Sequence, residues 1–289
     1  MIDLHCHLLP GLDDGPATLE DALEMARIAV ADGITHTVCT PHIYPGLYPN
    51  NADVIAAAVT RFRQALAAQD IALAVSDGAD IHLTPECLSA LSSGHYPTLA
   101  ASRYFLLEPP HHAVPARFLA QIHDALHAGF VPLITHPERL DWLDETHYPW
   151  FCQAARAGAW LQVTAGALLG RFGRHAQRWS ERFATAGLIH VLASDAHDPR
   201  RRRPELSAAR QRAAQLLGAE EATRLVVDRP AAILAHRPPH AVPAPPGLAW
   251  PNPAVSRPGG FRRWLQRWRD RRPVPTRAAP GGGGMGSGR

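Results

Sequence analysis

Up to about residue 235 of this 289-residue chain, short apolar runs alternate with amphipathic stretches. The runs IDLHCHL (2–8), ITHTVCT (34–40), IALAVSDGADIHL (71–83), YFLLE (104–108), VPLITH (131–136), AWLQVTA (159–165) and LIHVLASD (188–195) read as strands. Helical patterns separate them. Thr18-Leu19-Glu20-Asp21 has the form of a capping box, opening a helix with the stripe Leu19, Leu23, Ala26 and Val30 and a stop at Gly33. Further helices are predicted near 52–68, 116–128, 147–157, 174–186 and 204–217. Seven strands alternating with helices predict an α/β chain, either a (β/α) barrel or a doubly wound sheet. Both architectures put their chemistry at the carboxyl ends of the strands.

The character changes after residue 235. Positions 236–289 hold eleven Pro and nine Gly, and this segment is expected to be a disordered, low-complexity tail behind a domain spanning 1–235. Within it FRRWLQRWR (261–269) spaces Phe261, Trp264, Leu265 and Trp268 at i, i+3, i+4 and i+7, with arginines on the other faces. Nine residues are too few for a helix stable alone in water, so this one is expected to form on an anionic membrane surface or a partner groove.

Charge is divided accordingly. The net +3 combines a tail of +9, from ten Arg against Asp270, with a remainder of −6. An acidic body lacks the positive surface that nucleic acid requires, so no nucleic-acid partner is expected. No run approaches the ~18 apolar residues of a membrane span, and the opening residues lack the regions of a signal peptide. The expected location is cytoplasmic, peripheral at the inner membrane face if the tail binds lipid. Cys6, Cys39, Cys87 and Cys152 form no C-x-x-C pair and are expected to be reduced thiols.

The unusual residues sit where strands end. In a regular strand Ile2, Leu4 and Cys6 face one side while Asp3, His5 and His7 face the other, so the two imidazoles can converge on a cation. Asp14 follows on the next loop, where Gly11 and Gly15 permit tight backbone. His42 follows the second run and Asp80 lies in the third. Glu108 ends the fourth and His136 the fifth, and Asp195 and His197 close the last. Converging carboxylates repel unless a cation compensates them. The N/O donor set without thiolate suits Mn, Fe or Zn, and nine candidate ligands suit two or three ions. A multinuclear hydrolytic centre is therefore expected. Asp13 is read as a turn or cap residue, and His111, His112, His123 and His127 as ordinary surface or helix residues.

The stretches MIDLHCHLLPGLDDG, CTPH, ITHPER and SDAH with RRP beyond it resemble the PHP (polymerase and histidinol phosphatase) superfamily. Within it they are most similar to the manganese-dependent protein-tyrosine phosphatases of bacterial capsule and exopolysaccharide loci. The resemblance covers residues 1–235. It implies a distorted (β/α)7 TIM-like barrel and a trinuclear site of His5, His7, Asp14, His42, Asp80, Glu108, His136, Asp195 and His197, with Mn2+ the expected ion. It implies phosphate-binding arginines at Arg139 and Arg203, although Arg200 to Arg203 cannot be separated by spacing. His42 or His197 could also serve in proton transfer. The implied activity is phosphoric monoester hydrolysis on phosphotyrosine, with a bacterial tyrosine kinase tail as partner. One departure is Asp80, where the family usually has Glu.

Other chemistries are excluded or kept as alternatives. No cysteine is followed six residues later by arginine, which removes the cysteine-dependent tyrosine phosphatase pattern. All 29 basic residues are arginine, which removes metal hydrolases bridged by a carboxylated lysine. A histidinol-phosphate-type small-molecule phosphatase, a proofreading-type nuclease and a non-catalytic metal-binding scaffold remain as competing readings.

Overall fold

The computed structural model describes residues 1–249. The described strands are β1 (Ile2–Cys6), β2 (His36–Cys39), β3 (His42–Ile43), β4 (Ala74–Asp77), β5 (Asp80–His82), β6 (Tyr104–Glu108), β7 (Val131–Ile134), β8 (Trp160–Thr164) and β9 (Val191–Ala193). They pair in the orders β1-β2-β4 and β3-β5-β6-β7-β8-β9, every ladder parallel. One predicted strand stops short of an unpredicted strand, β3, and another is broken once, and this divides the sheet. Run 34–40 ends at Cys39, ahead of Pro41, which has no N–H for a ladder. Run 71–83 is broken at Gly78, where a Cβ would lie 2.8 Å from Val38 Cγ1 and 3.0 Å from Leu99 Cδ2. At the remaining seam, Asp195 N–H donates to His5 O (2.8 Å) and His7 N–H to Ala196 O (2.9 Å). The result is a curled parallel sheet consistent with a TIM-like barrel.

Around it run α1 (Leu19–Ala31), α2 (Ala52–Ala68), α3 (Cys87–Ser92), α4 (Phe118–His127), α5 (Tyr148–Ala157), α6 (Ala165–Leu168), α7 (Gly173–Thr185), α8 (Ser207–Leu217), α9 (Ala219–Thr223) and α10 (Arg229–Leu234). The short α3, α6, α9 and α10 have no counterpart in the sequence reading. The N-cap half of the expected box forms: Thr18 Oγ1 accepts from Asp21 N–H at 3.1 Å, and it donates to Asp21 Oδ2 at 3.0 Å. The α1 stripe is rotated from its expected position. Ala22, Met25, Ala26, Ile28 and Ala29 are buried and Leu19 is exposed.

Two apolar layers result. Leu4, Val38, Tyr104, Leu106, Leu133, Trp160 and Val191 meet inside the curl, closed at one end by Ala232 and Ile233 of α10. Phe62, Phe105, Ile122, Leu161 and Phe183 fill the space between sheet and helices. Strand periodicity carries the inner face from apolar to ionisable. Tyr104 and Leu106 point in, so Glu108 does too; Val191 and Ala193 are followed by Asp195.

β1 departs from regular alternation. Its register slips between Asp3 and Cys6. Ile2 and Leu4 pack into the inner layer, Cys6 into the outer one, and His5 turns inward next to Leu4. His5 and His7 converge as expected, while Asp3 departs from the shared face. Asp3 instead accepts from Ser194 N–H (3.0 Å), His5 N–H (3.3 Å) and the Ser194 hydroxyl, holding β1 to the end of β9. Burial pushes its carboxyl up to about 6 despite these bonds.

The expectation of disorder from residue 236 is also corrected for 236–249. Tyr104 Oη donates to Arg237 O (3.0 Å), and Gly247 N–H to Gly187 O (2.9 Å). The approach there is so close that a Cβ on Gly247 would lie 2.0 Å from Ala186 O. The amphipathic stretch 261–269 lies outside the described residues. Among those described, no helix is long and apolar enough to cross a membrane.

Arg229 ties this end together. Fully buried, it donates through Nε to Pro243 O (2.8 Å) and lies 2.7 Å from Glu221 Oε1, a pair close in distance though not aligned as a hydrogen bond. Removing one partner strands a buried charge. Glu221→Ala is expected to lower unfolding free energy by about 3–5 kcal/mol in urea titrations. Glu220→Ala, on an exposed side chain, should change it by less than about 0.5 kcal/mol.

Candidate metal centre

All nine ligand candidates meet at one end of the curled sheet, at its strand ends and the loops that follow. His5 Nε2 stands 3.4 Å from Asp80 Oδ2 and 3.4 Å from Asp195 Oδ1, and His7 Nε2 stands 3.5 Å from Asp195 Oδ1. His42 faces Asp14 at 3.6 Å through Nε2, and Asp80 and Glu108 at 3.5 Å through Nδ1. His136 Nε2 is 3.8 Å from both Asp80 Oδ2 and Glu108 Oε1, and His197 Nε2 is 3.4 Å from Asp14 Oδ1. Most of these groups are buried; Asp14 and His42 lie toward solvent.

The orientation of three rings shows what this space requires. His5 Nδ1 faces Gln162 Oε1 (3.0 Å), His7 Nδ1 faces Asp13 Oδ2 (2.6 Å) and His197 Nδ1 faces the Asp195 carbonyl (3.1 Å). These oxygens accept, so each Nδ1 carries the proton and each Nε2 turns a lone pair inward. His5 Nε2 and His7 Nε2 are then only 3.1 Å apart. In the neutral rings these are two facing lone pairs, which repel among carboxylates unless a cation lies between them or one ring takes up a second proton. The protein's own field has that sign. Burial alone would depress His7, but Asp13 and Asp195 outweigh it and raise it to about 10. Glu108 is held down near 2, where neighbouring histidines outweigh burial and the charge of Asp80.

A divalent cation fits these residues. Both Asp80 oxygens, His42 Nδ1 and His136 Nδ1 are buried without a hydrogen-bond partner, a costly arrangement unless another ligand is intended. Groups within 4.8 Å of one another include His5–His7–Asp80, His7–Asp14–His42–His197, His42–Asp80–Glu108 and Glu108–His111–His136. The donors are nitrogen and oxygen throughout, while the nearby Cys6 and Cys39 sit in the outer apolar layer. His136 (φ 32°) and Asp195 (φ 51°) adopt left-handed backbone, costing of order 1–3 kcal/mol each. The chain after β7 and β9 is thus turned sharply where each ligand begins.

Several expectations change here. Asp13 is more than a turn residue: besides His7 it accepts from Gly15 N–H and His42 N–H, both at 2.9 Å. Arg203 points away, paired with Glu205 at 3.2 Å, and Arg202 takes the place expected for it. Arg202 Nη2 lies 2.7 Å from Asp195 Oδ2, and Arg139 Nη1 pairs with the same oxygen. Both guanidiniums lie over the Phe172 ring, at 4.4 Å for Arg139 and 5.6 Å for Arg202. His42 has both nitrogens near carboxylates, at 3.5 to 3.6 Å, and its Nδ1 has no hydrogen-bond partner. His111 is no ordinary surface residue, since its Nε2 lies 3.4 Å from Glu108 Oε1. His82 approaches the other oxygen of Glu108 at 3.5 Å and stacks on Tyr44 at 4.0 Å. A signal for Gln162 did exist: it is the one amide within the apolar run AWLQVTA.

Above the cluster opens a cavity of about 460 Å3, lined among others by Asp14, Tyr44, Tyr48, Glu108, Arg139 and Arg202. The family model described as "Capsular polysaccharide synthesis, CpsB/CapC" matches residues 1–235. The tyrosine-protein phosphatase YwqE of Bacillus subtilis is 37% identical over 203 residues, 70% of this chain and 79% of the relative. The tyrosine-protein phosphatase CpsB of Streptococcus pneumoniae is 29% identical over 241 residues, 81% of this chain and 98% of the relative. Among solved structures, one described with YwqE and CpsB as unique metal-dependent tyrosine phosphatases superposes with a TM-score of 0.77 at 32% identity, covering 82% of this chain and 96% of that one. The resemblance in the sequence motifs is therefore a real kinship, and the chain belongs to the CpsB/CapC family of capsular polysaccharide synthesis proteins.

Proposed function

We propose that this chain is a metal-dependent protein-tyrosine phosphatase, hydrolysing phosphotyrosine monoesters on a bacterial tyrosine kinase of capsule or exopolysaccharide synthesis. The observation that carries this reading is the inward-facing set of imidazole nitrogens and carboxylates beneath a cavity edged by two arginines. His5, His7, Asp14, His42, Asp80, Glu108, His136, Asp195 and His197 would hold two or three ions, Mn2+ by the family resemblance. When bound, such cations neutralise a phosphoryl group and acidify water into a nucleophile near neutral pH. We read the curled sheet as the distorted (β/α)7 barrel of that family, β2 with β3 and β4 with β5 each counting as one strand.

The remaining steps belong to side chains. Arg139 and Arg202 each keep N–H donors beyond those given to Asp195, and these face the cavity to receive non-bridging phosphate oxygens in bidentate fashion. Phe172 holds the two forks side by side. Tyr44, exposed and flat on His82, offers an aromatic surface at the rim for the ring of the substrate. A phenolate leaving group, with a parent pKa near ~10, needs less protonation than an alkoxide. Asp80, although shorter than Glu, still comes within 3.4 to 3.8 Å of His5, His42 and His136, which weighs against an inert scaffold.

Three outcomes are expected. Chelator-treated protein and His136→Ala should lose nearly all hydrolysis of a phosphotyrosine peptide, with Mn2+ restoring only the native protein; full activity under chelation sinks the reading. Arg202→Ala should lower kcat/KM on that peptide by about 10²–10³, while Arg203→Ala changes it by less than about threefold. Asp13→Asn, which weakens the hydrogen-bond acceptor behind His7, should weaken Mn2+ binding by about 10–100-fold in calorimetric titration. Turnover of histidinol phosphate exceeding that of the peptide would favour the small-molecule alternative.

A further inference from the structure

We propose that His111 is itself a metal ligand in this chain, completing with Glu108 and His136 a cation position at the outer edge of the cluster. This rests on the reading that the cleft takes divalent cations, and it adds a residue outside the nine drawn from the sequence motifs.

Glu108 lies at the centre of the geometry. Its two oxygens face in different directions: Oε2 toward His42 and His82, both at 3.5 Å, and Oε1 toward His111 at 3.4 Å and His136 at 3.8 Å. Asp80 divides its carboxylate among His5, His42 and His136, with His136 the most distant at 3.8 Å. A cation held by Glu108 Oε1 and His136 therefore has an incomplete shell from the interior, and the direction left to fill is the one His111 occupies. The ligand atoms of Glu108, His111 and His136 lie within 4.8 Å of one another, and the His111 and His136 rings are 5.0 Å apart.

His111 is also held in place, as a ligand must be. Its loop after β6 is bound to the loop after β7 on three sides. Trp142 Nε1 donates to Pro110 O (2.8 Å), Asp141 N–H donates to His111 O (3.0 Å), and His112 Nδ1 meets Asp141 Oδ2 (2.6 Å). These contacts fix the backbone on both sides of His111 and leave its imidazole turned into the cavity. Preorganisation of this kind lowers the cost of assembling a coordination shell. His112, by contrast, is an exposed residue engaged with Asp141.

The test is Mn2+ titration of the metal-stripped full-length protein, followed by calorimetry and by electron paramagnetic resonance of free Mn2+. Circular dichroism melts check that each variant is folded. His111→Ala is expected to weaken one bound Mn2+ at least about tenfold and leave the tighter positions unchanged. His112→Ala, which removes an exposed side-chain contact and leaves the Trp142 Nε1–Pro110 O and Asp141 N–H–His111 O bonds to hold the loop, should give the native isotherm. An isotherm for His111→Ala that superimposes on the native one overturns the inference alone. So does uniform weakening of every position, or an equal loss in His112→Ala, because either marks a disturbance of the loop. Native protein that takes up no Mn2+ overturns this inference together with the proposed function.

Discussion

Repulsion among like-ended groups is the constraint that organises this molecule. Imidazole lone pairs and carboxylate oxygens converge from β1, β3, β5, β6 and the loops after β1, β7 and β9, at separations of 3.1 to 3.8 Å. Left to themselves such groups would spread or protonate. They are kept together by what stands behind them: Gln162 and Asp13 at the outer nitrogens of His5 and His7, the Asp195 carbonyl at His197, and Arg139 with Arg202 at Asp195. Each of these fixes a tautomer or offsets a charge. The fold thus sets a concentrated demand for positive charge at one end of the barrel-like sheet, where phosphate chemistry can use it.

The sheet is built to bear that demand. Its interior is apolar through Leu4, Leu106, Leu133 and Ala193 and becomes ionisable only in the final layer. The apolar layers keep water out from below, strengthening every electrostatic interaction above them. Part of the special backbone lies at the same end. The β1 slip turns His5 inward, and left-handed conformations at His136 and Asp195 turn the chain where each ligand begins. The opposite end is closed by α10, Arg229 and the segment through Gly247. Stability and chemistry are thus carried at opposite ends of the strands, the usual division in barrels of this kind.

Family membership and site geometry support each other for separate reasons. The named relatives match 70% and 81% of the chain and are tyrosine-protein phosphatases, and a solved structure of that kind shares its fold. The coordinates independently place two guanidiniums on one aromatic ring beside the cluster, an arrangement that favours planar, bidentate recognition of phosphate. Arg202 rather than Arg203 holds this position because the Asp198 carboxylate accepts from the backbone N–H groups of Arg200, Arg201 and Arg202. That tight turn directs the Arg202 side chain back onto Asp195 and leaves Arg203 to Glu205.

The chain's local chemistry was legible without coordinates. Period-two and period-3.6 patterns located helices such as Ala52–Ala68 and strands such as Tyr104–Glu108, since both depend on which side chains must leave water. The nine ligand candidates were legible too, because ionisable residues at successive strand ends have no packing reason to be there. Tertiary structure decided everything that depends on direction. Which arginine turns inward, which oxygen backs His7, and whether His111 meets Glu108 are set by turns and by loops brought together from distant parts of the chain. Spacing along a sequence carries no vector, and a slip of one residue in β1 was enough to part His5 from Asp3. The sequence by itself determined the donors and the sheet that carries them; only the folded chain determined where each one points.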